Sequence, residues 1–179
     1  MKIFLILQII SLILSATMPD VVRKKERQIT DPKDIEQFLS EQRVIRIGYY
    51  DKAKEEVYIV PLDYGFKVEN GEYIFYLHGG PKGRKYDLTK EEPNVGFEID
   101  GNYELVRDEV ACKHSAKYKS IIGNGKIQLI DDINEKKNGL DIIMEHATGE
   151  KGFEYNQKML EHVAIYKLTA TKLTCKANL

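Results

Sequence analysis

The chain has no tryptophan among its 179 residues, only two cysteines, five prolines and four histidines, and a net charge of -1. Each scarcity excludes something. Cys112 and Cys175 lie far apart and form no CxxC pair. That argues against a disulfide framework or a thiolate zinc site, and for reduced thiols. His78, His114, His146 and His162 have no paired ligand spacing, so no metal site is expected. The 27 basic residues are matched by 28 acidic ones. No global field attracts nucleic acid or an anionic membrane, so neither is expected as a partner and any basic site must be local. There is no Walker-type loop, no GxGxxG, no repeat and no linker.

What is present is an ordinary globular composition, 42% hydrophobic and 31% charged, at a length that suits one domain. Residues 1–17, in "MKIFLILQIISLILSAT", form an apolar leader. It is short for a membrane span and has a poor small-residue cleavage pair. The expectation is an upstream start, with Met18 opening a single cytoplasmic domain over 18–179. The rival reading is export or tethering through the leader.

Strand signals dominate. "RVIRIGYY", "EVYIVPLDYGFKV", "GEYIFYLH", "NVGFEID", "YELV", "YKSIIGNGKIQLI" and "HVAIYKLTATKLT" are rich in β-branched and aromatic residues. Asn70-Gly71 predicts a tight hairpin turn, and Gly101-Asn102 a weaker one. Short turns between consecutive strands imply antiparallel pairing. Helices are expected at Asp31-capped "PKDIEQFLSEQ", at 84–91, at "INEKKNGLDIIMEHATG" ending on Gly149, and at 156–161. The sum is a mainly β domain with peripheral helices, its sheet an antiparallel closed or nearly closed barrel.

One stretch carries chemistry. In "FYLHGGPKGRKYDLTK" a strand ends at His78, followed by Gly79, Gly80 and then Lys82, Arg84 and Lys85 at the start of a helical turn. Glycines admit a ligand close to the backbone, and a helix start with an arginine and a lysine suits a phosphate. The plain alternative is a solvated basic turn. Arg46 lies inside an apolar strand, where it needs a bound anion or a salt bridge to Asp63 or another acid. Pro61 inside the next strand suggests a bulge or an edge. In "ACKHSAKYKSIIGNGK", Ser115, Tyr118 and Ser120 precede a strand whose Gly123 and Gly125 mark bulges or close approach. Cys112 is read as structural, and Glu145-His146 as a solvated helix face.

Five stretches resemble, in order from about residue 23 to about 170, the flavin-binding split-barrel proteins. They are "RKKERQITDPKDIEQFL", "RIGYYDKAKEEVYIVPLDYGF", "FYLHGG" with "GRKYDL", "PNVGFEIDG" and "ACKHSAKYKSIIGNGK". The similarity is to the nitroimidazole-resistance branch of the pyridoxamine 5'-phosphate oxidase-like family. That resemblance implies a homodimer of split β-barrels with FMN in the subunit groove, NAD(P)H as electron donor and a small nitroaromatic as substrate. It implies that Arg46 and the Ile47 backbone line the flavin, and that Val60 and Pro61 flank its ring. It further implies that His78, Gly79, Arg84 and Lys85 hold the phosphate and the adjacent ring edge. Ser115, Tyr118, Ser120 and Ile122 would come from the later strand of either subunit. His78, then Tyr118, are the candidates for substrate contact or proton donation.

The chain departs from that pattern twice. Gly79 and Gly80 stand where a serine and an alanine are usual, and His114 stands where a tryptophan is common. Rival readings are a non-catalytic flavin-binding stress protein and a haem- or deazaflavin-binding split barrel. The vitamin B6 oxidase reaction itself lacks its C-terminal substrate motif here.

Overall fold

A computed structural model describes residues 22–179; the 1–17 leader and Met18 lie outside them. Seven strands and four helices are described: β1 (Gln28–Ile29), α1 (Pro32–Glu41), β2 (Val44–Asp51), β3 (Glu56–Glu69), β4 (Glu72–Gly79), α2 (Arg84–Glu91), β5 (Asn94–Val106), β6 (Ser115–Ile130), α3 (Ile133–Thr148), α4 (Gln157–His162) and β7 (Ala164–Asn178). Short 3-10 turns cover Lys25–Arg27 and Ala111–Lys113.

Local chemistry accounts for the boundaries. Asp31 caps α1 by accepting from the Lys33 amide at 2.9 Å, with Pro32 in the first turn. Asp132 caps α3 through the Asn134 and Glu135 amides, and Gly149 ends it at φ 77. Asn70 and Gly71, at φ 51 and 82, make the β3–β4 turn. Gly101-Asn102 is not a turn. It is a bulge inside β5, where the register against β6 slips between Gly101 and Glu104. "NVGFEID" and "YELV" are therefore one strand.

All pairings are antiparallel, in the order β1-β7-β4-β3-β2-β5-β6, and β6 pairs with β7 to close the ring. β3 changes partner halfway. Residues 56–63 pair with β2 and residues 64–69 with β4. The ring thus splits where β3 and the end of β4 diverge, and β3 keeps a free edge over its first half. Pro61 sits on that half, where a missing N–H removes no second ladder bond. Gly125 marks the β6–β7 register shift. A Cβ on Gly123 would collide with Phe97 and the Lys172 carbonyl.

Alternation fills the barrel. Ile45, Ile47 and Tyr49 of β2 point inward with Phe75, Leu77, Phe97, Ile99, Ile121, Tyr166 and Leu168, capped by Phe38 and Leu39 of α1. Burying one such side chain stabilises by roughly 1.5–3 kcal/mol. A smaller outer cluster, Ile74, Tyr76, Ile130 and Ile165, receives Ile143 of α3. Gly65 lets α3 cross β3 closely, because a Cβ there would run into the Ile142–Ile143 backbone. Both cysteines are free thiols. Cys175 is buried, which pushes its thiol up to about 11. Cys112 is exposed, so it does not serve as packing.

Candidate functional site

The phosphate-like loop folds as the residues suggest. β4 ends at Gly79, and Gly83 opens α2 with φ 101 and no side-chain cap. The first-turn amides of α2 are left without the oxygen that a Ser or Asp cap would supply. Arg84 and Lys85, adjacent in sequence, have opposite fates. Arg84 donates through Nε and Nη2 to Asp51 at 2.9 and 2.7 Å and to Glu56 at 2.5 Å, and stacks 4.6 Å from the Tyr58 ring centroid. Its hydrogen bonds hold the Asp51 carboxyl below the usual range. Lys85 is half-buried and, among the described residues, has no carboxylate partner. Its Nζ donates to the His78 carbonyl at 3.2 Å and lies 4.5 Å from the Tyr166 ring centroid. Burial lowers its ammonium from the ordinary lysine value. A Cβ on Gly79 would stand 2.5 Å from that Nζ. A side chain at this position would make the flexible end of Lys85 shift. Beneath them the Tyr166 hydroxyl is buried without a hydrogen-bond partner. His78 is exposed at the rim.

Across the split lies the free edge of β3. Val60 is half-buried and packs on the core, while Ile47 is wholly buried. Ile47 can meet a ligand only through its main chain, and Val60 through its main chain and part of its side chain. Arg46 corrects the sequence expectation. It is not buried, and of the expected acids its partners are not Asp63 but two others. It stands on the outer face, its side chain 45% exposed, and donates to Glu98 at 3.0 Å and Asp100 at 2.6 Å on β5. Burial first, then the Asp100 charge, raise the Glu98 carboxyl.

Of the β6 residues, Tyr118, Ser120 and Ile122 lie on the same outer face, and Ser115 is in the opposite phase. Arg46 is level with Pro61 on one side, and with Glu98 and then Ile122 on the other. Ile122 is 53% exposed. The Ser120 hydroxyl is covered yet has no partner. Tyr118 accepts from Arg27 at 3.4 Å, and Ser115 accepts from Asn178 at 3.4 Å. The structure separates His78 from Tyr118 within the chain. On β7, His78 is opposite Ile165 and Tyr118 opposite Asn178. Thirteen positions of strand, about 40 Å at ~3.3 Å each, lie between those rows.

Residues that sequence reasoning missed are the anchors. Asp51 shares the inward phase of Ile45, Ile47 and Tyr49, and a carboxylate in that phase demands a cation. That signal could have found the Arg84 pair. His146 is not on a solvated face either. It is half-buried between Tyr64 and Phe66 and donates to the Gln42 carbonyl at 2.7 Å. Among the described residues, no group of three His, Cys, Asp or Glu side chains could hold a metal ion, and no helix is long and apolar enough to cross a membrane.

A split antiparallel ring with a lysine-bearing helix start in its gap defines a split-barrel ligand-binding protein. Residues 31–177 match the family model described as pyridoxamine 5'-phosphate oxidase, and the chain belongs to that family of split-barrel proteins. Among solved structures it is similar to a protein of Bacteroides thetaiotaomicron named for a proposed role in 5-nitroimidazole antibiotic resistance. There the TM-score is 0.73 and the identity 29%, over 84% of this chain and 86% of that one. It also shares its fold with the flavocytochrome Anf3 of Azotobacter vinelandii (TM-score 0.71, 18% identity, 89% of this chain and 72% of that one). A third likeness is the FAD and heme binding protein of Mycobacterium smegmatis (0.72, 16%, 85% and 73%). Among curated protein sequences, no relative matches the chain.

Proposed function

We propose that the chain is an FMN-binding oxidoreductase that reduces a small nitroaromatic, such as a 5-nitroimidazole, with electrons from NAD(P)H. One observation carries this reading: Lys85 is a half-buried cation with no carboxylate partner among the described residues, beside an uncapped helix start. Burying an unpaired ammonium is costly, and a bound phosphate offsets that cost. Likeness to the Bacteroides protein supports the substrate class. FMN, when bound, supplies the two-electron chemistry.

The chain's own residues fit the group. Lys85 and the α2 amides hold the phosphate, and Gly79 keeps the approach open. Arg84 acts by fixing α2 against Asp51 and Glu56, and Tyr58 flanks it. The free edge of β3 at Val60 and Pro61 offers main-chain groups to the flavin ring. Arg46 faces the same side, with Glu98 and Asp100 as its resting partners. His78, on the rim, contacts substrate or donates a proton.

Tyr118 and Ser115 reach such a site only from a second copy of the chain, given their distance along β7. The outer face supports that copy: Val57, Ile59 and Ile122 are 65%, 62% and 53% exposed, a hydrophobic surface that association would cover. The protein then works as a homodimer with flavin in the groove.

The test is an absorption spectrum of the purified chain, with the released cofactor identified by mass, followed by NADH- or NADPH-driven reduction of a 5-nitroimidazole. Released FMN and nitro-group reduction are the expected results. A haem spectrum, or a colourless chain that refuses added FMN, overturns the reading. Ile59→Glu should yield a monomer with weakened flavin binding; a wild-type chain already monomeric in solution removes the two-subunit site.

A further inference from the structure

A second cleft lies at the other end of β2, away from α2. It opens between the end of α1, β3 and the last turn of α3, with a volume of about 650 Å³. That is within the ~300–1,000 Å³ typical of small-molecule sites. Arg43, Phe66, Lys67, Ile142, Glu145 and His146 line it, with Ala147 at its edge.

The corner is built, not incidental. Arg43 Nη1 donates to the Ser40 carbonyl at 2.7 Å and the Gln42 carbonyl at 3.0 Å. These bonds satisfy carbonyls at the end of α1. His146 Nε2 lies 2.7 Å from the same Gln42 oxygen. A carbonyl only accepts, so the neutral ring carries its proton on Nε2 and keeps Nδ1 as an acceptor. The ring is clamped 4.6 Å from Tyr64 and 5.6 Å from Phe66, centroid to centroid.

Charge decides what fits. Lys67 is neutralised by Glu69 at 2.6 Å, and Glu145 by Lys151 at 2.8 Å. Arg43 is exposed and has no carboxylate partner among the described residues. Its Nη1 makes both carbonyl bonds and lies 3.3 Å from His146 Nε2, while Nε and Nη2 make no hydrogen bond among the described residues. The cleft therefore presents one uncompensated guanidinium with the rest of its fork available. Next to it are the Phe66 ring and the apolar sides of Ile142 and Ala147.

We propose that this cleft binds a small monocarboxylate with a flat apolar body, its carboxylate on Arg43 and its body against Phe66, Ile142 and Ala147. The site is independent of the flavin reading. It uses none of the same residues and lies at the opposite end of β2.

Phenylacetate is a suitable probe, titrated into the isotopically labelled full chain and followed by amide shifts. Shifts confined to Ser40, Arg43, Phe66 and residues 142–149, saturating at about millimolar concentration or below, are expected. Arg43→Gln should weaken binding by about tenfold or more. Ala147→Phe fills the cleft from an exposed helix position without touching Arg43, so it should abolish binding even if Arg43→Gln disturbs the fold. The neutral 2-phenylethanol should bind about tenfold more weakly, and the cation phenethylamine not at all. The proposal is overturned by no shifts up to about 10 mM. It is equally overturned by shifts centred on His78 and Lys85, or by binding that Ala147→Phe leaves intact.

Discussion

The two ends of β2 meet the same problem, an arginine at a helix junction, and solve it differently. At the Asp51 end, Arg84 is saturated by Asp51 and Glu56, and its neighbour Lys85 is left without an acid. At the Val44 end, Arg43 spends its bonds on carbonyls and keeps its charge uncompensated. A saturated cation is architecture. A cation without a counter-charge is free to meet one from outside the chain, which is what both proposals ask of it. Arginine and lysine in one tripeptide, "GRK", thus divide the two tasks between them.

The most damaging way to break the comparison is Gly65→Val. Its Cβ would strike the Ile142–Ile143 backbone, which cannot swing aside. A loss of about 3 kcal/mol in denaturant unfolding is expected. Hydrogen exchange should rise first at α3 and the His146 corner, and last at α2. Lys85→Ala tests the other end. Flavin affinity should fall by roughly a hundredfold while unfolding stability holds, because a charged hydrogen bond to phosphate contributes about 1.5–3 kcal/mol. Equal flavin loss from Lys82→Ala would deny Lys85 its special role.

A smaller effect comes from Gly83→Ala. At φ 101 an L side chain is strained by about 1–2 kcal/mol, and α2 should fray at its start. Flavin titration should then show weakened binding with Lys85 intact. The smallest effect is the pH slope of the Val44 end. Burial, and then the Arg43 charge, lower the His146 pKa from 6.5 against the partial pull of its Gln42 bond. The unfolded chain therefore binds the proton more readily. Stability is full above about 6.5 and falls as pH drops through the lowered folded value. His146→Asn should flatten that slope and leave the Asp51 end unchanged; a slope that survives the substitution assigns it elsewhere.

Local rules carried most of the fold. The Asp31 and Asp132 caps, the Asn70-Gly71 turn and the two-residue alternation each act within a few residues, so they are readable in one chain. What failed was non-local. Gly101-Asn102 has turn composition, but β6 runs straight past it and makes a bulge. Arg46 inside an apolar strand calls for a bound anion or for Asp63 or another acid, and the sequence alone does not say which. Register places Val44 opposite Asp63, and sets Glu98 of β5 beside Arg46 instead. The candidate site divided the same way. His78, Gly79 and Lys85 are contiguous, and they meet. Tyr118 belongs with them by resemblance alone, on the later strand of either subunit, and within one chain it stands at the far end of β7.

β7 touches β1, β4 and β6, and it is made after all of them. The ring therefore has no way to close before residues 164–178 have been made. Until residues 164–178 arrive, β4 and β6 present open edges and the barrel interior stays wet, the situation in which nascent chains aggregate. Closure is a single late event with high loop entropy, and it recruits residues from both termini of the domain at once. Ring closure should accordingly be the slow, last step of folding, and a ligand of the groove would meet a finished barrel and not a growing one.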